Sequence, residues 1–212
     1  MITKKHLKPE YWQEAVQHLS KSDPILSRVI SKYKSNNFLT VSNTPFKTLF
    51  SIILGQQISI EAAKSIESRI KKNIKQITPN NFLRQDVNDL RSYGLSYRKI
   101  KYITGIAETI KSKPHFFKKI SMSSDSDAIK QLTDLYGLGP WSAEMFLIFQ
   151  YNRKNILPMG DIGLINSFCN NYKVKKEEFS YEIMKYKKIW NPYCTVATWY
   201  LWRDIDEDVV QY

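Results

Sequence analysis

With 212 residues, 42% of them hydrophobic, and a formal charge of +12, the chain is long enough to bury a core as one domain or two small lobes, and basic enough to favour a polyanionic partner. Two cysteines, Cys169 and Cys194, exclude a disulfide framework, a four-cysteine cluster and a thiolate zinc site. The opening "MITKKHLKPEYW" lacks the apolar core of a signal peptide, and no segment reaches the ~20 apolar residues of a membrane span, so a reduced, soluble, intracellular protein is expected, in cytoplasm or nucleoid if the source is prokaryotic.

Basic balance also aids solubility, so charge alone does not decide for nucleic acid. Asp204, Asp206, Glu207 and Asp208 leave the rest of the chain more basic still. His6, His18 and His115 are scattered without metal-ligand spacing and are expected on the surface or in the core. Apolar residues recur at helical spacing, and no segment alternates as a half-buried strand would. The expected fold is all-α. In chain order the spacing predicts helices over 11–19, 24–33, 45–54, 60–74, 80–91, 97–111, 126–135, 140–151, 163–172, 181–188 and 194–203. Caps or first-turn prolines mark several starts, as in "SDPIL", "NTPF" and "TPNNF". The polar run 121–128 reads as a linker ending on a capped helix. A short echo relates "YGLSYRK" at Tyr93 to "YGLGPWS" at Tyr136.

The second of these interrupts two apolar helical runs. Gly137 and Gly139 let the backbone take positive φ and approach another surface without a Cβ in the way, Leu138 between them anchors the turn, and Pro140 suits a first helical position. Outward N–H groups and the positive end of the next helix dipole would then suit an anion such as a phosphate. On Gly-Leu-Gly alone, an ordinary αα-hairpin with glycines chosen for packing is the favoured reading.

The wider stretch "LYGLGPWSAEMF" resembles the helix-hairpin-helix of the base-excision DNA glycosylase superfamily. "FKTLFSIILGQQIS" (46–59) is similar to its apolar helix ending in a Gly-Gln-Gln turn, "YGLSYRKIKYITGIA" to its helix after a Gly-Leu-Ser turn, and "ILPMGDIGL" (156–164) to the loop presenting its catalytic aspartate. "WNPYCTVATWYLWR" (190–203) resembles the C-terminal Trp-x-Pro helix of the alkylation-repair branch, DNA-3-methyladenine glycosylase II. The resemblance runs from about residue 11 to the end, and several spaced motifs in order are more specific than one. It implies two helical lobes around a DNA-binding cleft, one over 45–154 with the hairpin, the other joining 1–44 to 155–212 with the catalytic aspartate. The N-terminal β-rich domain of larger members has no room here.

Cleaving an N-glycosidic bond develops positive charge on the sugar, which calls for a fixed negative group and a positioned water. An aspartate, ordinarily of pKa about 3.9, is ionised at neutral pH without activation. By its residue type and place before "IGLINSF", Asp161 would serve as a helix N-cap; the resemblance implies that it is also the catalytic carboxylate. Where relatives that also cut the backbone carry a lysine nucleophile, this chain has Trp141, and Lys130 and Lys154 do not match, which implies a monofunctional hydrolase leaving an abasic site. Trp141 and Trp202 fall on positions that line the base pocket, where indole faces attract cationic bases such as 3-methyladenine and 7-methylguanine; each is otherwise a core aromatic, the reading preferred for Trp190 and Trp199. Gln57 matches the residue inserted where the base has flipped out, and Gln56 would support that turn; both otherwise only join two helices. Backbone N–H groups of Gly137 and Gly139 would hold phosphate, helped by Arg98 and Lys99, although a solvated helix face explains such charges as well. Family hairpins also bind a monovalent cation, Na+ or K+, through carbonyls, here those of Thr133, Leu135 and Leu138. No cofactor is otherwise required, and an iron–sulfur cluster is excluded for want of cysteines. Cys194 stands where the family usually has arginine, so an ion pair behind the pocket is expected to be missing. The implied partner is duplex DNA with alkylated bases, bound by a monomer and with no membrane. A non-catalytic helix-hairpin-helix DNA-binding module, or a glycosylase for deaminated or mismatched bases, are the alternatives.

Overall fold

The computed structural model describes residues 8–33, 38–41 and 43–206; His6, Glu207 and Asp208 lie outside them. Every regular element among the described residues is helical: α1 (Trp12–Ser22), α2 (Pro24–Ser31), α3 (Pro45–Gly55), α4 (Ile60–Asn73), α5 (Pro79–Leu83), α6 (Val87–Ser92), α7 (Tyr97–Ser112), α8 (Phe116–Met122), α9 (Asp125–Thr133), α10 (Pro140–Tyr151), α11 (Ile162–Tyr172), α12 (Phe179–Trp190) and α13 (Cys194–Arg203), with a 3-10 turn at Lys176–Glu178. No helix among the described residues is long and apolar enough to cross a membrane.

Local chemistry accounts for most boundaries. Asp23, Ser59, Thr78, Asp86, Ser96, Ser124 and Asp161 each accept a first-turn N–H of the helix they precede, an interaction worth about 1 kcal/mol. Prolines open α2, α3, α5 and α10, where the missing N–H costs nothing. The helix expected over 80–91 is split, because Asp86 caps a new start by accepting the Asn88 N–H at 2.7 Å. The expected linker over 121–128 is largely helical. Here α8 runs to Met122, Ser124 caps α9 at once, and α8 is held by fully buried Ile120 and by Phe117, stacked on Phe146 at 5.8 Å. The helix expected at 181 begins at Phe179, whose ring is buried edge-on against Phe168.

The chain divides into two compact units. One is Asn43–Phe146; the other joins the residues up to 41 with those from Leu147 onward, so the division falls inside α10. In the first, Phe46 and Phe50 meet Phe82 edge-on, and α3 and α5 pack on α7. The second has an aromatic core. Trp12 meets Trp199 edge-on at 5.1 Å, and Trp190 packs against Phe168 and Tyr172. Trp190 and Trp199 are both buried core residues, as preferred from sequence.

Candidate active site

In the Asn43–Phe146 unit, α9 and α10 are joined by the Gly-Leu-Gly turn. Gly137 has φ +100°, and a Cβ there would overlap the Tyr102 ring, so only glycine fits. Leu138 is buried and anchors the turn. Positive φ was expected at both glycines, but Gly139 lies outside the left-handed region. It precedes Pro140, which disfavours helical and favours extended backbone in its neighbour. A Cβ on Gly139 would meet open space, which leaves the outer edge of the turn bare. Among the described residues the Gly137 and Gly139 N–H groups find no protein acceptor, whereas that of Leu138 donates to the Leu135 carbonyl at 3.1 Å.

The Gly-Gln-Gln turn is tied to this hairpin. Gln56 Nε2 donates to the Gly137 carbonyl at 3.1 Å and to Ser142 Oγ at 3.0 Å. Gln57 follows with φ +57° and an exposed side chain, a backbone conformation uncommon outside glycine, asparagine and aspartate. Lys99 Nζ donates to the Leu54 carbonyl at 2.7 Å, capping the last turn of α3. Burial first, and then the Arg98 charge, hold its pKa below the ordinary lysine value. Arg98 itself is exposed on the first turn of α7. Of the three carbonyls considered for a cation, that of Leu135 accepts the Leu138 N–H and retains a second lone pair. The Thr133 hydroxyl donates to the Lys130 carbonyl, leaving the residue's own carbonyl as the ligand to consider. Trp141 is half-buried at the second position of α10. A cavity of about 420 Å3 lies elsewhere in this unit, against Lys113, His115, Phe116, Gln131 and Leu135, and Trp141, Gln56 and Gln57 do not line it.

In the second unit, Asp161 caps α11, its Oδ1 accepting the Leu164 N–H at 2.7 Å. The same oxygen accepts the Trp202 indole N–H, also at 2.7 Å. The Trp202 ring is stacked on Phe149 with centroids 5.9 Å apart and planes 9° apart. The structure commits the Trp202 N–H to the carboxylate and sets its ring beside Phe149. A Cβ on Gly163 would come within 3.1 Å of both Asp161 Oδ1 and Trp202 Cδ1, so this glycine makes room for the pair. Asp161 is half-buried, and the neighbouring Ile162 is 72% exposed. Cys194 is fully buried at the start of α13, where burial pushes its thiol up to about 11. A neutral thiol at the position usually held by arginine needs no counter-charge.

Two further residues escaped the sequence reading. Asp23 was legible only as a cap, yet it also receives the Tyr172 hydroxyl at 2.5 Å and the Trp190 indole N–H at 2.8 Å. Thr195 carried no signal at all, since its partners lie 39 to 42 positions away.

Residues 50–192 match the HhH-GPD superfamily of base excision DNA repair proteins. DNA-3-methyladenine glycosylase 1 of Schizosaccharomyces pombe is 30% identical over 84% of this chain and 79% of its own length. The structure of the Schizosaccharomyces pombe 3-methyladenine DNA glycosylase in complex with abasic DNA superposes with a TM-score of 0.75 at 28% identity, covering 90% of this chain and 95% of that one. A DNA-3-methyladenine glycosidase from Bacillus halodurans gives 0.76 at 30% identity, over 91% and 89%.

Proposed function

Since this chain belongs to the HhH-GPD superfamily of base excision DNA repair proteins, we propose that it is a monofunctional DNA glycosylase that hydrolyses the N-glycosidic bond of alkylated bases, of the 3-methyladenine and 7-methylguanine type, in duplex DNA. The observation that carries this reading is the half-buried Asp161 carboxylate, capping α11 and bonded by the Trp202 indole N–H. The names of the 3-methyladenine enzymes described above support the substrate class.

The chemistry follows from the substrate. A purine alkylated at N3 or N7 carries positive charge and leaves as a neutral base, so its departure requires no proton from a general acid. What rises in the transition state is positive charge on the sugar, which Asp161 stabilises while orienting water on the face opposite the leaving base. Two donors fix Oδ1, so the carboxylate meets that charge without reorganising. Trp141 offers an indole face to the cationic base, an attraction of about 0.5–2 kcal/mol, and cannot serve as an amine nucleophile, so the product is an abasic site. The bare turn at Gly137 and Gly139 takes a strand phosphate on its N–H groups; the carbonyls of Thr133, Leu135 and Leu138 would hold Na+ or K+, whose charge would add to the attraction for that phosphate. Gln57 enters the gap left by the flipped base, and Gln56 braces it through the hairpin. Arg98 adds charge towards the backbone, while Lys99 acts through the end of α3. In this reading the protein acts on duplex DNA as a monomer, inside the cell.

The test is chromatography of bases released from methylated and from deaminated duplexes. Wild type should free methylated purines, and Asp161→Asn should not. Binding without release from any duplex would favour a non-catalytic module, and release from the deaminated duplex alone a different lesion.

A further inference from the structure

The loop between α10 and α11 delivers Asp161, and one helix holds it at both ends. At the far end Trp202 bonds the carboxylate. At the near end Thr195, fully buried, engages three residues of the loop, Arg153, Lys154 and Ile156. Its hydroxyl donates to the Arg153 carbonyl at 2.5 Å and accepts the Ile156 N–H at 2.9 Å, and its own N–H donates to the Lys154 carbonyl at 3.2 Å. Asn155, between them, is held by its side chain to Asn191 at 2.8 Å and accepts the Cys194 N–H. From Ile156 the chain runs through buried Leu157 and Pro158, and the Pro158 carbonyl accepts the Asp161 N–H at 2.9 Å.

Thr195 and Trp202 are seven residues apart on α13. At 3.6 residues per turn that is within about 20° of two full turns and spans about 10 Å, so both side chains leave one face of one rigid rod. The loop is therefore measured against a fixed length of helix.

We propose that Thr195 is a positioning residue for Asp161: it sets where the loop starts, so that the carboxylate arrives in register with the indole N–H two turns further along. This rests on the reading of Asp161 as the reacting carboxylate. Geometry is what is at stake, because a shift of about 1 Å at a reacting group can cost a hundredfold in rate. Replacing the hydroxyl by a methyl strips the buried Ile156 N–H of its acceptor, and the loop must move to find another.

The test compares wild type, Thr195→Val and Thr195→Ser for single-turnover release from methylated duplex and for Kd on a duplex carrying a stable abasic analogue. Thr195→Val should slow release by about tenfold or more with Kd little changed, and Thr195→Ser should restore the rate. In an Asp161→Asn background, Thr195→Val should cause no further loss. Wild-type release by Thr195→Val, a loss confined to Kd, or an equal loss in the Asp161→Asn background would each overturn the proposal. Should Thr195→Val not fold, Asn155→Ala loosens the same clamp from its half-buried side: slower release at constant Kd supports the proposal and an unchanged rate refutes it. No release by wild type would instead refute the glycosylase reading, so the two failures are told apart.

Discussion

Two aspartates in the same unit cap helices in the same way, and each accepts an indole N–H from a distant tryptophan. Asp23 takes the Ile25 and Leu26 N–H groups on Oδ1 at 2.9 and 3.0 Å, and the Tyr172 hydroxyl and Trp190 N–H on Oδ2. It is 1% exposed. Asp161 takes the Leu164 and Trp202 N–H groups, both on Oδ1, and is only half-buried. A carboxylate with four donors and no solvent has its whole acceptor capacity spent on the fold. One whose bonds to its cap and its tryptophan converge on a single oxygen, and which is only half-buried, is oriented by the fold within reach of solvent. The same residue type, cap and partner type thus serve stability in one place and, under the reading above, chemistry in the other.

The comparison is tested most severely by exchanging each acid for its amide. Asp161→Asn should lower base release by about 10²- to 10³-fold, yet lower Tm far less than the exchange at Asp23 does, because the amide oxygen can still accept both N–H groups at Oδ1. Asp23→Asn should do the reverse. One arm of its amide becomes a donor facing two donors in a dry core, for a loss of about 3 kcal/mol, or roughly 10 °C in Tm for a chain of this size, with release per folded molecule preserved. A thermal melt and a release assay on each variant check all four outcomes. Loss of folding in Asp161→Asn, or of release in Asp23→Asn, would break the comparison.

The tryptophans form the next, smaller contrast. Trp202→Phe keeps a ring against Phe149 and removes only the donor to Asp161. A hydrogen bond to a charged group is worth about 1.5–3 kcal/mol, so release should fall about tenfold or more, read in single turnover. Trp190→Phe removes an equivalent donor from Asp23 and should lower stability by a similar energy with release unchanged. Were Trp202→Phe to lower only the affinity for methylated duplex, the indole would be acting as a pocket wall.

The sequence disclosed what lies within one turn of helix and hid what spans tens of residues. The Asp161 cap, the anchor at Leu138 and the all-helical class follow from local chemistry and spacing, and appear where expected. The positive φ expected at Gly139 ignored its own neighbour Pro140. Helix α8 was missed because seven residues carry little periodicity; burial of Ile120 and the Phe117–Phe146 stack sustain it. Gln56 was legible as a turn residue, but its bond to Gly137 crosses 81 positions. Lys99 looked like a surface cation until the α3 carbonyl it caps was placed beside it. The second acceptor role of Asp23 and the clamp at Thr195 are of the same kind: only the fold brings their partners within reach.

The smallest effect is the most diagnostic of how Asp23 is used. Burial first, then the Asp23 charge and its hydrogen bond, hold the Tyr172 phenol well above the ordinary value of 10.0. The folded protein therefore keeps this proton while the unfolded chain begins to release it near pH 10, so the contribution to stability is intact below pH 10 and declines as pH rises beyond it. Tyr172→Phe should cost about 1.5 kcal/mol at pH 8, the lower end for loss of a donor to a charged group. Above pH 10 the variant's disadvantage should shrink by up to about 1.4 kcal/mol per pH unit, because it has no phenol to ionise at this position. Half-buried Tyr11 and Tyr151, also raised, leave a residual alkaline decline in both proteins, so the quantity to read is the difference between their urea midpoints at pH 8, 10 and 11. A constant difference would mean that Tyr172 ionises in the folded state as readily as in the unfolded one, and the picture of a saturated, dry carboxylate at Asp23 would fail. Asp161→Asn, measured alongside, should follow the wild-type curve through this range, since its side chain neither gains nor loses a proton there.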